Sequence, residues 1–397
     1  MRSGRVAITG LGCICALGPD VRTCAERLFL DRTEPITPVE FEDTYSPASP
    51  VFQVASPLPA PSRPMEHGIS RTSALALAAT SQALKGSGLT TRSGSLRIGV
   101  CMGTTVGVSL NSTRFYRGYL DREEPDMSPV SRFLSNNLAL FIAREYGFSG
   151  PCQTIVNACS SGTDAIGVGE SWIAAGVCDV VVAGGADELS RVTYEGFVSL
   201  MVTDEGVCRP FDRDRKGLNL GEGAAALILE SDDAWRARRV SPRGFVLGYG
   251  AACDAHHLTA PSPDGRGLKQ AIAYALGQSR KEPGEIAFVN AHGTGTVDND
   301  RVEATTLHEM LPGVPFLSTK GHTGHTLGAA GAIEAVLTMV CLEQGRIPAS
   351  AGFFKADPEI PAHPNASTRE IAGDCALSES LAFGGHNSVI ILERADD

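Results

Sequence analysis

The 397-residue sequence has no uninterrupted apolar run of about 18 residues, the length that a helix needs to cross a bilayer. It also has no excess of positive charge, because 34 basic side chains are outnumbered by 45 acidic ones, for a net charge of −11. A membrane-spanning protein and a general nucleic-acid binder are therefore both disfavoured. An apolar fraction of 43% and a charged fraction of 20% predict a globular protein with two domains or two fused halves.

The 11 cysteines lack the paired spacing of a disulfide framework, and none belongs to a CxxC or Cys/His cluster with zinc-site spacing. We therefore expect a reduced, cytoplasmic protein without a metal, in which most thiols are small core residues. The first residues superficially resemble a signal peptide, but the glycines at 10 and 12 and the Pro19-Asp20 turn favour a buried strand and a loop.

Glycine-rich stretches are present, but they lack the pattern of a dinucleotide site. Gly10-Leu11-Gly12 is a weak signal of this kind, because no acidic residue follows on a strand at the expected distance. A Rossmann-type site is therefore not expected.

Four segments of the first half recur in the same order in the second half. The pairs are VAITGLG near 5 with FVLGYGA near 245, IGVCMGTT (98–105) with IAFVNAHGTGT (286–296), Cys159 with His325, and GEGAAALILE (221–230) with GGHNSVIILE (384–393). Chance similarity between common strand patterns explains one pair, but four pairs in one order predict a duplicated fold. We expect an N-terminal half at 1–240 with the nucleophile and a C-terminal half at 241–397 with two catalytic histidines.

The spacing of these pairs predicts an insertion in the first half. Gly103 and Gly293 are 190 residues apart, whereas Cys159 and His325 are 166 apart, so about 24 extra residues are expected between 106 and 150. Short apolar strands, such as 177–187, alternate with helical stretches, such as 71–86. This alternation predicts an α/β fold in which helices cover parallel or mixed sheets.

Cys159 lies where the apolar run QTIVNA meets a stretch of helical pattern that begins SSGTDAIG. Free N–H groups and the helix dipole stabilise negative charge at a helix N-terminus. A thiol in this position is expected to have a lowered pKa and to act as a nucleophile. The alternative is one more buried structural cysteine.

Two histidines lie at similar junctions. His292 precedes a glycine-threonine loop in NAHGTGT, and His325 precedes the helix-forming stretch LGAAGA. A histidine at a helix start is disfavoured as a cation, so two neutral imidazoles that donate N–H bonds to one enolate oxygen are predicted. His322 is the nearest competitor for such a role.

Three charged residues near these motifs, Lys320, Glu303 and Glu334, are expected to form a buried network that orients His325. Ordinary surface salt bridges are the alternative interpretation of these three residues.

Together these motifs resemble those of the β-ketoacyl-[acyl-carrier-protein] synthases of the elongating type, in the thiolase-like superfamily. The resemblance covers nearly the whole chain, with ACSSG at Cys159, CRPFDRDRKGLNLGEGAA at 208–225, NAHGTGT at 290–296, TKGHTGHTLGAAGA at 319–332 and LAFGGHN at 381–387. It implies an α/β fold of the thiolase-like kind, a duplicated five-layer αβαβα sandwich with mixed sheets.

The resemblance also implies a reaction. Cys159 accepts an acyl chain, and His292 and His325 promote decarboxylation of malonyl-carrier protein, which yields a 3-oxoacyl-carrier protein two carbons longer. Lys320 resembles the lysine that supports the second histidine, with Glu303 and Glu334 as its partners. The substrates are carried on the phosphopantetheine of an acyl carrier protein, and no other cofactor is expected.

Three further residues match positions that contact substrate in this family. Thr294 and Thr296 match threonines that bind the phosphopantetheine arm. Phe383 matches the gating phenylalanine, whose backbone N–H joins that of Cys159 as an oxyanion hole.

The subfamily is indicated by the Cys-His-His set. Thiolases use a second cysteine, initiating synthases resemble a Cys-His-Asn set, and the paired chain-length factors lack the nucleophile. The short segment 199–212 and NDRVE around Asp300 favour a type II polyketide or polyene pathway. Housekeeping fatty-acid elongation is one alternative, and a non-condensing acyl-binding or chain-length partner subunit is another.

The expected partners follow from the same resemblance. We expect an acyl carrier protein and either a homodimer or a heterodimer with a chain-length-factor-like homologue. Because carrier proteins and this chain are both acidic, docking requires a local basic patch. Candidate contributors are Arg63, Arg71, Arg209, Arg213 and Arg215.

Overall fold

A computed structural model describes residues 5–30, 34–38, 48–90, 96–107, 109–135 and 137–396. The first four residues of the signal-peptide-like start thus lie outside the described residues. The strands are β1 (Val6–Ile14), β2 (Ile98–Gly103), β3 (Cys152–Ile155), β4 (Val180–Asp187), β5 (Gly223–Glu230), β6 (Gly244–Cys253), β7 (Phe288–Asn290), β8 (Phe316–Leu317), β9 (Arg346–Ile347), β10 (Arg369–Glu370), β11 (Cys375–Ala382) and β12 (His386–Arg394). The helices are α1 (Val21–Leu28), α2 (Arg71–Ser87), α3 (Thr113–Leu120), α4 (Ser128–Ser135), α5 (Leu138–Tyr146), α6 (Ser161–Ala174), α7 (Arg191–Ser199), α8 (Asp232–Arg238), α9 (Arg266–Ser279), α10 (Val297–Met310), α11 (Lys320–Thr323) and α12 (Ala330–Gln344).

The main sheet contains ten strands in the order β3-β2-β4-β5-β1-β6-β12-β11-β7-β8. In the first half, β2 is parallel to β3 and β4, while β5 is antiparallel to β4 and β1. In the second half, β7 is parallel to β8 and β11, while β12 is antiparallel to β11 and β6. The second half therefore repeats the first in mirrored order, and a short antiparallel pairing of β1 with β6 joins them. The predicted duplication is confirmed, while the division at residues 240 and 241 stays a prediction.

The helices form three layers around the two halves of the sheet. The central layer is made of α6 and α12, which pack on each other and on strands of both halves. One outer layer contains α2 and α5 over the first half, and the other contains α9 and α10 over the second. This arrangement is the predicted αβαβα sandwich with mixed strand directions.

Close packing of the central helices explains the small residues at their N-termini. A Cβ atom on Gly331 would lie 1.9 Å from Oγ1 of Thr163, and one on Gly162 would lie 2.8 Å from the backbone nitrogen of Ala332. Larger side chains at these glycines would push the helices apart. The starts of α6 and α12 are thereby brought together, and with them Cys159 and His325.

The segment Leu327–Gln344 is long and apolar enough to cross a membrane, but 89% of it is buried inside the protein. A helix that is apolar on all sides is expected between two sheets, because it contacts both of them. Here this segment contains α12, a core helix of the fold.

The predicted insertion is confirmed as extra helical structure. Residues 104–151 connect β2 to β3 and contain α3, α4 and α5, whereas residues 291–315 connect β7 to β8 and contain α10. The strand predicted from QTIVNA is shorter than expected. It ends at Ile155, because Asn157 turns away from the sheet and donates its N–H to Oγ of Ser161.

All 11 cysteines are free, and those other than Cys152 and Cys253 are buried. The sequence spacing did not reveal that the thiols of Cys13, Cys15 and Cys24 lie within 4.8 Å of one another. Cys13 lies in β1 and Cys15 directly follows its last residue, so the two side chains point the same way, and α1 brings Cys24 to within 3.8 Å of the Cys15 sulfur.

Candidate active site

Cys159 lies in a single 3₁₀ turn, Ala158–Ser160, that leads directly into α6. Ala158 has a φ of 49°, in the left-handed region that non-glycine residues rarely occupy. Two side chains fix this turn through the carbonyl of Ala158, which accepts from Ser161 Oγ at 2.7 Å and from Thr105 Oγ1 at 3.0 Å. The strained turn is thus held by its surroundings, and it directs Sγ into an internal cavity.

His325 faces this sulfur from the equivalent place in the second half. Its Nε2 atom lies 3.1 Å from Sγ of Cys159. Its Nδ1 atom accepts a hydrogen bond from the backbone N–H of Leu327 at 3.3 Å. Because Nδ1 is an acceptor, the neutral ring carries its proton on Nε2 and presents that N–H to the cavity.

His292 follows β7, and its ring packs edge-on against that of His325 with 5.2 Å between centroids. Nζ of Lys320 lies 3.2 Å from Nδ1 of His292. An ammonium group only donates hydrogen bonds, so Nδ1 is the acceptor and Nε2 carries the proton in this ring as well. The two imidazoles therefore form a pair of Nε2–H donors beside one thiol.

The position of Lys320 corrects one expectation. We predicted that Lys320 orients His325, but its three N–H bonds go to Nδ1 of His292, the carbonyl oxygen of His292 at 2.5 Å, and the carboxylate of Glu334. An ammonium has three protons, so none is left for the second histidine. Lys320 thus supports His292. Glu334 is its partner, as expected.

Glu303 also has a different contact from the expected one. Its carboxylate accepts from the backbone N–H groups of His292 and Gly293, and from Nδ2 of Asn299 at 3.0 Å. The side chain therefore fixes the backbone that carries His292, and its partner is this loop and not Lys320.

Burial lowers the pKa of His292 and of His325 well below the ordinary value, and the nearby charge of Lys320 adds to this effect. Both rings are therefore neutral at neutral pH, as predicted. For Cys159 the expectation was wrong. Burial raises the pKa of its thiol to about 11, although the backbone N–H groups of Phe383 and Cys159 and the charge of Lys320 act in the opposite direction.

Loss of hydration thus outweighs the helix N-terminus at this sulfur. The resting group is a thiol, and the N–H groups around it stabilise negative charge once it develops.

Phe383 lies in the turn after β11. Its ring stacks on that of Phe197 with 5.4 Å between centroids, and Phe197 in turn packs edge-on against His325. The backbone N–H of Phe383 lies within hydrogen-bonding reach of Sγ of Cys159. The position is that expected for a gate which also supplies an oxyanion donor.

Thr294 and Thr296 lie in the loop that connects β7 to α10. Their hydroxyl oxygens are 2.9 Å apart, and both residues line the cavity. Asp300 fixes this loop by accepting from the backbone N–H groups of Thr294 and Gly295. The cavity, of about 300 Å³, is also lined by Cys159, His292, His325 and Phe383. The structure therefore brings all the expected substrate contacts to one space.

Asp187 is a supporting residue that sequence reasoning missed. Its buried carboxylate accepts from the backbone N–H groups of Thr105, Val106 and Gly328, and from the hydroxyl of Thr104. It therefore ties the loop after β2 to the turn before α12. A signal was present, because an aspartate ends the otherwise apolar strand VVVAGGAD. His322, the competing histidine, is buried on α11 and is not among the residues that line the cavity.

The ligating atoms of Cys159, His292 and His325 lie within 4.8 Å of one another, a spacing that also suits a metal ion. Their surroundings favour an anion instead. Metal-bound histidines usually donate their second N–H to a carboxylate or carbonyl, whereas Nδ1 of His292 faces an ammonium group. Two backbone N–H groups also approach the sulfur. The arrangement suits acyl transfer through negatively charged oxygen and sulfur.

A duplicated αβαβα fold with a cysteine, two backbone N–H donors and two neutral imidazoles around one cavity defines a condensing acyltransferase of the thiolase-like class. The chain belongs to the β-ketoacyl synthase family. The model of its N-terminal domain matches residues 3–234, and that of its C-terminal domain matches residues 243–354.

Similar proteins include a polyketide synthase subunit and a 3-oxoacyl-[acyl-carrier-protein] synthase. The tetracenomycin polyketide synthase ketoacyl synthase alpha subunit of Streptomyces glaucescens is 35% identical over 82% of this chain and 81% of its own length. The 3-oxoacyl-[acyl-carrier-protein] synthase 2 of Synechocystis sp. is 34% identical over 75% of both chains.

Among solved structures, the ishigamide ketosynthase/chain length factor matches with a TM-score of 0.92 and 30% identity, covering 99% of this chain and 100% of that one. A ketosynthase in complex with its chain length factor from Xenorhabdus doucetiae matches with a TM-score of 0.83 and 32% identity, covering 99% and 98%.

Proposed function

We propose that this chain catalyses decarboxylative Claisen condensation of an acyl group on Cys159 with malonyl-carrier protein in a type II polyketide or polyene pathway. The observation that carries the assignment of roles is the 3.1 Å approach of Nε2 of His325 to Sγ of Cys159, with His292 beside it. Both rings present an N–H to the same space. The product is a 3-oxoacyl-carrier protein two carbons longer.

In the first half-reaction, Sγ of Cys159 attacks the carbonyl carbon of an acyl-carrier thioester. The backbone N–H groups of Cys159 and Phe383 stabilise the oxyanion of the tetrahedral intermediate. The carbon–sulfur bond to the carrier then breaks, and the proton of the Cys159 thiol ends on the departing carrier thiol. No net proton is consumed.

In the second half-reaction, malonyl-carrier protein loses carbon dioxide, and the electron pair of the broken carbon–carbon bond forms an enolate. Nε2–H of His292 and of His325 donate to the enolate oxygen. The carbanion carbon then attacks the acyl carbonyl on Cys159, and the carbon–sulfur bond breaks to release the cysteine thiolate. One proton from water restores the thiol, so the whole cycle consumes one proton. Lys320 keeps Nδ1 of His292 an acceptor throughout.

The proposed substrates supply their own carrier group, phosphopantetheine, so the proposal includes no further cofactor. Thr294 and Thr296 lie on the cavity wall where hydroxyl groups can bind the amides of that arm. The free cysteines are consistent with a reaction in the cytoplasm.

In this proposal a carrier protein docks near Lys216, which lines both the cavity and a surface groove. Arg209 lines the same groove. Two arginines expected in the basic patch have structural ion pairs instead, Arg71 with Glu222 and Arg215 with Asp357. Asp204, Glu205 and Asp214 line the same groove, so it is not net positive. In this proposal Arg209 and Lys216 bind acidic groups of the carrier as individual side chains and not through a positive field.

We further propose a heterodimer with a chain-length-factor-like homologue, as in the similar ishigamide and Xenorhabdus structures. Large apolar side chains are exposed on α3, α4 and α7, among them Leu120 (77%), Leu134 (76%) and Val192 (59%). The edge strand β3 lies in the same half of the sheet. Unpaired edges and apolar patches are typical of surfaces that a partner covers. A homodimer is the alternative.

The test is reconstitution with malonyl-carrier protein and a labelled acyl-carrier starter, with and without candidate partner subunits, read by mass spectrometry of the carrier-bound products. We expect a 3-oxoacyl product, longer chains when the partner is added, and no acyl adduct or product with Cys159→Ala. Cys152→Ala, which removes an exposed thiol on β3 that does not line the cavity, is the matched control and should form the acyl adduct. Efficient extension of ordinary saturated fatty acyl chains without any partner would favour fatty-acid elongation. Acyl binding without condensation would defeat the proposal.

A further inference from the structure

Asp164 is a buried carboxylate that the proposed mechanism does not use. It lies in the first turn of α6, and only 2% of its side chain is exposed. Its oxygens contact Asn157 Nδ2 at 2.8 Å, Ser160 Oγ at 2.9 Å, Tyr249 OH at 2.9 Å, Ser388 Oγ, and His386 Nε2 at 3.3 Å. Five side chains from the Cys159 segment, β6 and β12 therefore contact this one carboxylate.

The partners connect the two segments that carry the oxyanion donors. Asn157 directly precedes the Cys159 turn, and Ser160 is the last residue of that turn. His386 is the first residue of β12, three residues after Phe383. Asp164 therefore joins the segment that supplies the backbone N–H of Cys159 to the segment that supplies the backbone N–H of Phe383.

The connection between Phe383 and His386 consists of two glycines. Gly384 and Gly385 have φ angles of 89° and 78°, in the region that favours glycine. The loop is also held from its other side, since Gly384 donates to the carbonyl of Leu258 and the carbonyl of Gly385 accepts from Asp254. Those contacts fix the loop to residues 254–258. The contact of His386 with Asp164 fixes it to the nucleophile.

The protonation states of Asp164 and His386 depend on each other and on the titratable side chains around them. The hydrogen bond to Asp164 raises the pKa of His386 above its ordinary value. Burial acts to raise the pKa of Asp164, but hydrogen bonds from His386, Ser388 and Asn157 outweigh it, and the net direction is downward. The other titratable neighbours, Tyr249 on β6 and Cys101 on β2, are kept neutral because burial and the Asp164 charge raise their pKa values. Cys253 lies opposite His386 in the strand register.

We propose that Asp164 and His386 form a positioning pair that holds the Phe383 loop against the Cys159 turn and so keeps the two oxyanion donors at their spacing. The inference rests on the proposed function, because it assigns these donors to acyl transfer. Neither residue touches the reacting atoms. When His386 is protonated the contact is an ion pair, and when it is neutral the contact is a weaker hydrogen bond. The donors are therefore held best at a pH below the raised pKa of His386.

The test is His386→Gln, which retains a hydrogen-bond donor without a charge. Acylation of Cys159 by an acyl-carrier thioester is measured between about pH 5.5 and pH 8.5, a range that brackets the ordinary histidine pKa. We expect the variant to be slower by about tenfold at the acidic end, since a charged hydrogen bond exceeds a neutral one by about 1–1.5 kcal/mol. The difference should narrow towards the alkaline end. The effect should fall on kcat and leave KM unchanged.

His308→Gln is the matched control, because His308 is an exposed histidine on α10. It should show the wild-type pH profile. A ratio of wild-type to His386→Gln rates that stays constant across the pH range would overturn the proposal, as would an effect on KM alone.

A second measurement separates this inference from the proposed function. Alkylation of Cys159 by iodoacetamide needs no carrier substrate and follows the thiolate, which the same N–H groups stabilise. We expect the wild type to be alkylated faster than His386→Gln at the acidic end, with the rates converging as pH rises. If the wild type is alkylated in this way but never condenses, the proposed function fails and the positioning pair stands. If the wild type condenses and both ratios are flat, the positioning pair fails.

Discussion

The turn before α6 and the turn before α12 occupy the same place in the two halves of the fold, but they are built differently. The Cys159 turn is fixed by hydroxyl groups, and it surrounds its sulfur with backbone N–H donors. The His325 turn fixes the tautomer of the imidazole. Nδ1 accepts a hydrogen bond from the backbone N–H of Leu327, so Nε2 carries the proton and can donate. Duplication thus provided two equivalent junctions, one of which carries a thiol and the other an imidazole; in the proposed mechanism these act as nucleophile and hydrogen-bond donor.

The loops after the second strand of each half also occupy equivalent positions but carry different side chains. His292 follows β7, and the sequence repeat aligns it with Met102 in β2, which is fully buried. Each loop is held by a buried carboxylate that accepts backbone N–H groups, Asp187 in the first half and Glu303 in the second. The scaffolding is therefore repeated, whereas the loop of the second half also contacts the buried ammonium group of Lys320.

The largest effect is expected when the positive charge of Lys320 is removed. Lys320→Ala should lower the free energy of unfolding by about 3–5 kcal/mol, because it leaves the buried carboxylate of Glu334 without its partner. Urea unfolding is the measurement. Lys269→Ala is the matched control, since the pair of Lys269 with Glu309 is partly exposed and should contribute about 1 kcal/mol or less. Equal losses in the two variants would show that the Lys320 pair has no special role.

The next prediction compares His292 with its counterpart in the repeat. His292→Ala should slow malonyl decarboxylation by about 10²–10³-fold, the usual effect of removing one donor to an oxyanion. Transfer of an acyl group to Cys159 should continue, because the sulfur contact comes from His325. Carbon dioxide release and acyl-enzyme mass are measured separately. Met102→Leu conserves the buried volume and should leave both steps intact. A loss of acyl transfer equal to the loss of decarboxylation would contradict this division of roles.

The pH dependence of alkylation at Cys159 distinguishes ionisation of the thiol from ionisation of the two imidazoles. Alkylation of Cys159 by iodoacetamide should rise about tenfold per pH unit at neutral pH, because the thiol ionises only near its raised pKa of about 11. The imidazoles are already neutral at pH 7, since their pKa values are lowered, so their protonation should not reduce activity until well below pH 6.5. Cys159→Ala provides the background rate. A plateau of alkylation near pH 8 would show that the helix terminus prevails over burial after all.

The sequence predicted the duplicated architecture and the participating side chains, because both depend on local patterns. Strand and helix periodicity, small residues at helix starts and a nucleophile at a junction are all visible within a few positions of one another. The contact of Lys320 with His292 in place of His325 was not visible, since the path of the lysine side chain is set by packing between β7 and α12. The direction of the Cys159 pKa shift was also missed. It is the balance of burial against several N–H groups, and burial is a property of the folded chain.

Asp164 illustrates the same limit. Its partners lie on the Cys159 turn, β6 and β12, up to 224 residues away in sequence. An aspartate five residues after the nucleophile looks like an ordinary first-turn acid of a helix. Only the fold shows that it connects the two segments that supply the oxyanion donors.

The smallest expected effect concerns Glu188, a buried acid of the first half for which the nearby charge of Arg71 does not offset burial. Burial raises the pKa of Glu188 to about 7, above the ordinary glutamate value of 4.5. The folded protein therefore binds more protons than the unfolded chain between these values, so the stabilising contribution is complete below about pH 4.5 and is lost as pH rises through 7. Glu188→Gln should raise the free energy of unfolding by about 1–3 kcal/mol at pH 8 and leave it nearly unchanged at pH 4.5. Unfolding curves at the two pH values provide the measurement, with the exposed Glu205→Gln as control. An equal gain in the free energy of unfolding at both pH values would contradict this prediction, because it would show that the packing of the side chain and not its buried charge destabilises the protein.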